Sequence, residues 1–298
     1  MTRRSFAVDR RRRLLAVVIA IIGMAAVAIV VWATDSPTGA TASSPVDQLR
    51  RCRSDRDRQP TVVLVHGAWA DASSWSGEVR LLQRAGFAVR AIPNPVEDLT
   101  TDARQVAAFL RSIDGPVVLV GHSYGGAVIT NAAAGLSRVD ALVYVDATAP
   151  APGEANSELS GSRSVLMGRD PSTLFETVGR RSAPAADAEL FLRKPVFVDD
   201  FASDLPHGEA VRLWASQRSA STAAFETPSR VAAWKTIPSW SFVSTGDRII
   251  TAASKLAMAR RAHARTTVFR GGSHLSLISH PEAVAGVIAS AVCGTRPH

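Results

Sequence analysis

Apolar residues along this chain gather in two kinds of run. Short continuous runs, many rich in valine, occur at Thr61–Val65, Ala88–Ile92, Val117–Val120, Ala141–Val145, Ser241–Ser244 and Thr266–Phe269. Runs of this length predict strands buried on both faces, as in a parallel sheet. Between them the apolar positions recur at helical spacing. Ser74–Ala85 places Trp75, Val79 and Leu82 on one face, and Thr100–Ile113 does the same with Val106, Phe109 and Leu110. Tyr124–Ala134, Ala252–Ala262 and Pro281–Val292 complete the expected helices. Strand–helix alternation of this kind predicts a doubly wound, mostly parallel α/β sheet with right-handed crossovers. The alternation breaks between about Pro150 and Lys235, a stretch rich in Pro, Ser, Ala and Arg. It is too long for a loop and reads as an inserted helical cap over residues 150–236, with helical patterns at Ala185–Arg193 and Gly208–Arg218.

Ahead of this body lies a different kind of segment. Leu14–Ala33 is an uncharged, almost wholly apolar run of 20 residues, preceded by Arg3, Arg4, Arg10, Arg11, Arg12 and Arg13. A helix of that length spans a bilayer, and the arginines keep residues 1–13 on the cytoplasmic side. The run is longer than the apolar part of most cleavable signals, which favours a membrane anchor. Val31-Trp32-Ala33 and Ala40-Thr41-Ala42 would suit cleavage, so a signal peptide is the alternative. Thr2-Arg3-Arg4-Ser5-Phe6 also looks like a twin-arginine start, although an ordinary basic leader accounts for it better. Residues 34–59 read as an exposed linker, and 60–298 as one α/β domain outside the cytoplasm. Cys52 and Cys293 would both lie there, where disulfides persist; a bridge between them would tie the linker to the last helix, with unpaired thiols as the alternative.

Composition changes this picture little. The 298 residues carry 34 basic and 26 acidic side chains, a net +8. That excess sits mainly in the leader, since the 239 residues from 60 onward hold 23 basic and 21 acidic groups. No basic stripe with interleaved aromatics is visible, which argues against a nucleic-acid partner. Two cysteines are too few for a disulfide scaffold or a four-thiolate zinc site.

The chemistry is expected where strands end. Gly121-His122-Ser123-Tyr124-Gly125-Gly126 lies between a predicted strand and a predicted helix. That is the setting of a nucleophile elbow, in which small residues leave room for a serine on a sharp turn. Ser123 then needs a base, and the base an orienting carboxylate, in the chain order serine, acid, histidine. His274, in the loop after the last strand, fits as base; His280 is the second choice, since it abuts Pro281. His66 and His122 belong to turns beside the site, His207 to the insertion, His263 to a helix and His298 to the terminus. Asp247, at the end of Ser241–Ser244, fits as acid; Asp146, at the end of Ala141–Val145, is the alternative acid. The oxyanion hole is expected from the backbone N–H groups of Tyr124 and Ala68. Trp214, Phe225 and Trp234 read first as ordinary core aromatics and otherwise as acyl-pocket walls.

Leu64-Val65-His66-Gly67-Ala68-Trp69, the elbow, Thr245-Gly246-Asp247 and Ser273-His274 together resemble the α/β-hydrolase superfamily from about Thr61 to Val292. Trp75 and the helix start Pro281-Glu282-Ala283 are similar to the small-cap carboxylesterases related to plant methyl-ester hydrolases and hydroxynitrile lyases. The resemblance implies a serine hydrolase with a helical cap, a Ser123–His274–Asp247 triad, an ester substrate and no cofactor or metal. Hydroxynitrile lyases of that branch carry threonine and lysine where this chain has Gly67 and Leu275, so cyanohydrin cleavage is disfavoured. Ser123 also disfavours the aspartate-dependent dehalogenases and epoxide hydrolases. Amide hydrolysis, a catalytically silent binding module and a membrane-tethered structural protein are the remaining alternatives.

Overall fold

The computed structural model describes residues 44–54, 59–179 and 188–295. Six strands form one parallel sheet: β1 (Thr61–Val65), β2 (Val89–Ile92), β3 (Val117–His122), β4 (Val139–Val145), β8 (Ser239–Ser244) and β9 (Arg265–Phe269). Their spatial order is β2-β1-β3-β4-β8-β9. The direction of winding reverses beside β1, which places the crevice at the carboxyl ends of the central strands. Every residue of β3, β4 and β8 is buried, as their unbroken apolar runs require. The edge strand β9 has four exposed residues of five.

Two groups of helices flank the sheet. Helix α1 (Pro45–Ser54) and α2 (Ser76–Arg84) pack with α7 (Pro281–Gly294). Helix α3 (Leu99–Arg111) packs on α4 (Tyr124–Ala132), while α6 (Ala252–Arg261) lies along β8. Local chemistry marks the starts. The Asp98 carboxylate accepts from Thr101 N at 3.0 Å to cap α3, and Thr251 Oγ1 accepts from Ser254 N at 3.3 Å to cap α6. Proline opens α7, where a missing N–H costs nothing.

Three expectations are corrected here. The supposed exposed linker is helical over Pro45–Ser54, because Leu49 is fully buried and Val46 packs beside it, a short i, i+3 stripe hidden among charges. The insertion between β4 and β8 is not wholly helical. It contains a three-stranded antiparallel sheet of β5 (Phe175–Gly179), β6 (Ala188–Leu192) and β7 (Ala220–Ser221). The helical pattern read at Ala185–Arg193 is thus a strand from Ala188, paired from Phe175↔Leu192 to Gly179↔Ala188. The pattern at Gly208–Arg218 does form a helix, α5 (His207–Ala215). Residues 1–43, including the apolar run 14–33, lie outside the described residues. Among the described residues no helix is long and apolar enough to cross a membrane.

Cys52 on α1 and Cys293 on α7 form a disulfide with their Cα atoms 5.4 Å apart.

Candidate active site

The site grows out of the turn after β3. Ser123 has φ 54° and ψ −126°, a left-handed backbone that a non-glycine residue adopts only when its surroundings enforce it. The enforcement is visible. Ser123 N donates to Val145 O at 3.3 Å, and Ser123 O accepts from Gly126 N at 3.0 Å and Thr148 N at 3.2 Å. The turn closes so tightly that a Cβ on Gly121 would lie 2.5 Å from the carbonyl oxygen of Gly125. Helix α4 starts directly behind the serine and aims its first N–H groups at it.

His274 leaves the loop after β9 and reaches Ser123: its Nε2 is 2.8 Å from Ser123 Oγ. Its Nδ1 is 2.9 Å from Asp247 Oδ2, and both side chains are fully buried. Asp247 Oδ1 is held from the other side by Ile249 N at 2.8 Å and Ile250 N at 3.1 Å. Burial works against its ionisation, but His274 and Lys255 outweigh it and hold Asp247 well below the usual carboxylate range. Asp146 does not meet His274. It accepts from Ser244 N and Ser244 Oγ, each at 2.7 Å, from the Ser276 hydroxyl, and from Lys255, whose ammonium also reaches Asp247 at 2.6 Å. His280, the second-choice base, pairs instead with Asp204 at 3.2 Å.

The remaining histidines beside the site have supporting positions. His66 Nδ1 donates to Gly67 O at 2.8 Å and its Nε2 accepts from Asn94 N at 2.9 Å, so both ring nitrogens are used and the ring is neutral. His122 Nε2 donates to the carbonyl of His274 at 2.8 Å and so pins the His274 backbone. Burial, helped by His274 nearby, pushes His122 well below the usual imidazole range. Ala68 is buried in the turn after β1, and Tyr124 is the first residue of α4, whose N–H has no intrahelical acceptor. The Tyr124 hydroxyl donates to Asp102 Oδ2 at 2.7 Å, tying α4 to α3.

In front of Ser123 lies a cavity of about 200 Å³ lined by Trp69, Phe175, Leu190, Phe225 and Ile249 among others. Phe225 is therefore a wall of this cavity, whereas Trp234 donates to Pro150 O at 2.9 Å and Trp214 to Leu192 O at 3.1 Å, as buried and cap-packing residues. A larger cleft of about 640 Å³ opens beside Val139, Pro238 and Arg265, and none of Ser123, His274 and Asp247 lines it. Among the described residues no group of His, Cys, Asp or Glu is arranged to hold a metal ion.

Lys255 and Phe201, whose ring lies 5.0 Å from that of His274, join the site unexpectedly, and Trp69, expected only as part of the first-loop motif, forms a cavity wall. Lys255 had a readable signal. It shares the inward stripe of its helix with Met258 and Ala259, and a lysine there requires a buried carboxylate partner.

These features define a serine hydrolase of the α/β-hydrolase fold, and comparison with known proteins agrees. The model of the alpha/beta hydrolase family matches residues 62–287, and the chain belongs to that family. It is an enzyme of the serine hydrolase type. It is 28% identical to the alpha/beta hydrolase nvfD of Aspergillus novofumigatus over 78% of this chain and 96% of the relative. It is 31% identical to a carbendazim hydrolyzing esterase of Nocardioides over 45% of this chain and 59% of that one. Among solved structures, an extracellular alpha/beta-hydrolase from a Paenibacillus species matches with TM-score 0.64 at 20% identity, covering 78% of this chain and 98% of the other. Polyneuridine aldehyde esterase matches with TM-score 0.65 at 18% identity, covering 76% and 97%.

Proposed function

We propose that this protein is an exported carboxylesterase that works through an acyl-enzyme on Ser123, His274 and Asp247. The observation that carries the reading is the unbroken chain from Ser123 Oγ to His274 Nε2 at 2.8 Å and from His274 Nδ1 to Asp247 Oδ2 at 2.9 Å. Ser123 attacks the ester carbonyl while His274 takes its proton. The backbone N–H groups of Ala68 and Tyr124 hold the resulting oxyanion. His274 then protonates the leaving alcohol and afterwards activates the water that releases the acid. Asp247 keeps the His274 tautomer and stabilises its cation.

The apolar cavity of about 200 Å³ favours small aliphatic or aromatic ester groups on the acyl side. Cyanohydrin cleavage is opposed by Gly67, where even a Cβ would fall 2.6 Å from Ser123 Cβ. The arginine-led apolar run over residues 14–33 supports membrane anchoring, with signal cleavage as the alternative. The disulfide supports an extracytoplasmic location for the domain.

Ser123→Ala is expected to lower kcat/KM on p-nitrophenyl acetate by about three orders of magnitude or more. A fluorophosphonate probe is expected to label the parent at Ser123 and not the variant. Parent-level hydrolysis by the folded variant would overturn the proposal.

A further inference from the structure

Lys255 sits at the back of the site, only 2% exposed. Its ammonium has three donors and three acceptors: Asp146 Oδ1, Asp247 Oδ2 at 2.6 Å and Ser244 O at 3.2 Å. Asp146 follows β4 with φ 43°, a left-handed conformation that side chains other than glycine rarely take. A lysine this deep persists only when paired, and here two carboxylates share it. Burial alone would lower its pKa; Asp146 and Asp247 reverse that and raise it.

We propose that Lys255 and Asp146 are positioning residues of the triad, a brace that fixes the Asp247 carboxylate and sets the net charge His274 faces. This rests on the reading of Ser123, His274 and Asp247 given above. The brace acts in two ways. Lys255 meets the same Oδ2 that accepts from His274, while Ile249 N and Ile250 N hold Oδ1, so the carboxylate cannot turn away. A lone Lys255 would cancel the Asp247 charge and leave little to stabilise an imidazolium. Asp146 restores one net negative charge, the value a plain Asp–His pair would have.

The other polar groups around His274 do not supply that charge. His122, at the end of β3, is held neutral against the His274 carbonyl. His66 is neutral in its turn. Asp204, from the cap, is a carboxylate beside the His274 loop, but it bonds Ser273, Ser279 Oγ at 2.7 Å and His280, not the His274 ring. Phe201, which packs on the His274 ring, is apolar. Ser244 and Ser276 donate hydroxyls to Asp146.

The test is the pH profile of kcat/KM for p-nitrophenyl acetate in three variants of the full chain. Asp146→Asn removes a negative charge, disfavours the imidazolium and is expected to move the acidic limb to lower pH by about one unit. Asp146→Asn/Lys255→Gln removes opposite charges together, so the limb is expected back within a few tenths of a unit of the parent. That double variant loses the brace, so its plateau kcat is expected to fall roughly tenfold below the parent's. Ser123→Ala, measured alongside, separates the two readings: activity surviving there overturns the triad itself. An inactive Ser123→Ala with an unmoved limb in Asp146→Asn overturns the brace alone. So does a double variant with the parent's kcat, which decides the matter if Asp146→Asn does not fold.

Discussion

At the scale of single residues, not every buried polar group among the described residues serves the site. Glu78 on α2 is fully buried, and its carboxylate has no hydrogen-bonding partner beyond its own backbone. Burial therefore pushes its pKa well above the usual value of 4.5, with Glu282 adding to the rise. The sign follows from linkage. The folded state takes the proton before the unfolded chain does, so this group costs stability at high pH and the cost fades as pH falls toward 4.5. Glu78→Met keeps the volume and removes the charge; it is expected to raise stability at pH 8 by about 1–3 kcal/mol, and by less at pH 5. Thermal melts of parent and variant across that range check it, and a gain independent of pH would show that the carboxyl is not the cause. Asp102, pushed up by burial to about 6 despite its bonds from Tyr124 and Glu97, acts in the same direction and remains in both proteins. Such residues explain what could be read in advance. Ser123, His274 and Asp247 stand at strand ends in recognisable surroundings, whereas the places of Lys255 and Glu78 depend on what faces them across the fold.

Among elements, the turn after β1 and the cap are fastened to one another by Trp69. Its indole N–H donates to Leu190 O on β6 at 3.0 Å. Its ring stacks on Phe175 at 5.8 Å and on Phe225 at 5.4 Å. The residue next to the proposed oxyanion donor Ala68 thus also forms the cavity wall, at a left-handed φ of 58°. Trp69→Phe keeps an aromatic wall but leaves Leu190 O without this donor; kcat/KM is expected to fall about three- to tenfold. Trp69→Ala enlarges the cavity and is expected to raise the rate ratio of p-nitrophenyl hexanoate to acetate. An unchanged ratio would remove Trp69 from the acyl pocket. The same contacts explain why the cap was the least legible element. Four of the five β5 residues are exposed and most of β6 is half-buried, so neither shows the clean alternation of a strand. What makes Ala188–Leu192 a strand is pairing with Phe175–Gly179, far apart in the local pattern. Strands β3, β4 and β8 were legible for the opposite reason, since burial on both faces leaves no room for polar residues.

For the whole molecule, the bridge between Cys52 and Cys293 closes a loop of 241 residues, so nearly the entire domain lies inside it. Gly294, its neighbour on α7, packs against Trp240 near the start of β8, at the end of the sheet opposite the Asp247–His274 loops. The clip and the chemistry are therefore at opposite ends of the strands, and breaking one should leave the other intact. Loop closure of this length limits the unfolded chain by about 5 kcal/mol in the chain-entropy account, an upper bound for the folded protein's gain. At the steepness usual for a domain of this size, that corresponds to a fall in Tm on the order of 10 °C. Cys52→Ser/Cys293→Ser is expected to show that fall, to be insensitive to reducing agent, and to keep kcat/KM at 25 °C within about twofold of the parent. The parent itself should lose the same increment of Tm on reduction. A parent whose melting ignores a strong reductant would mean the two sulfurs carry no constraint, and α1 would then be held to α7 by the packing of Leu49 and its neighbours alone.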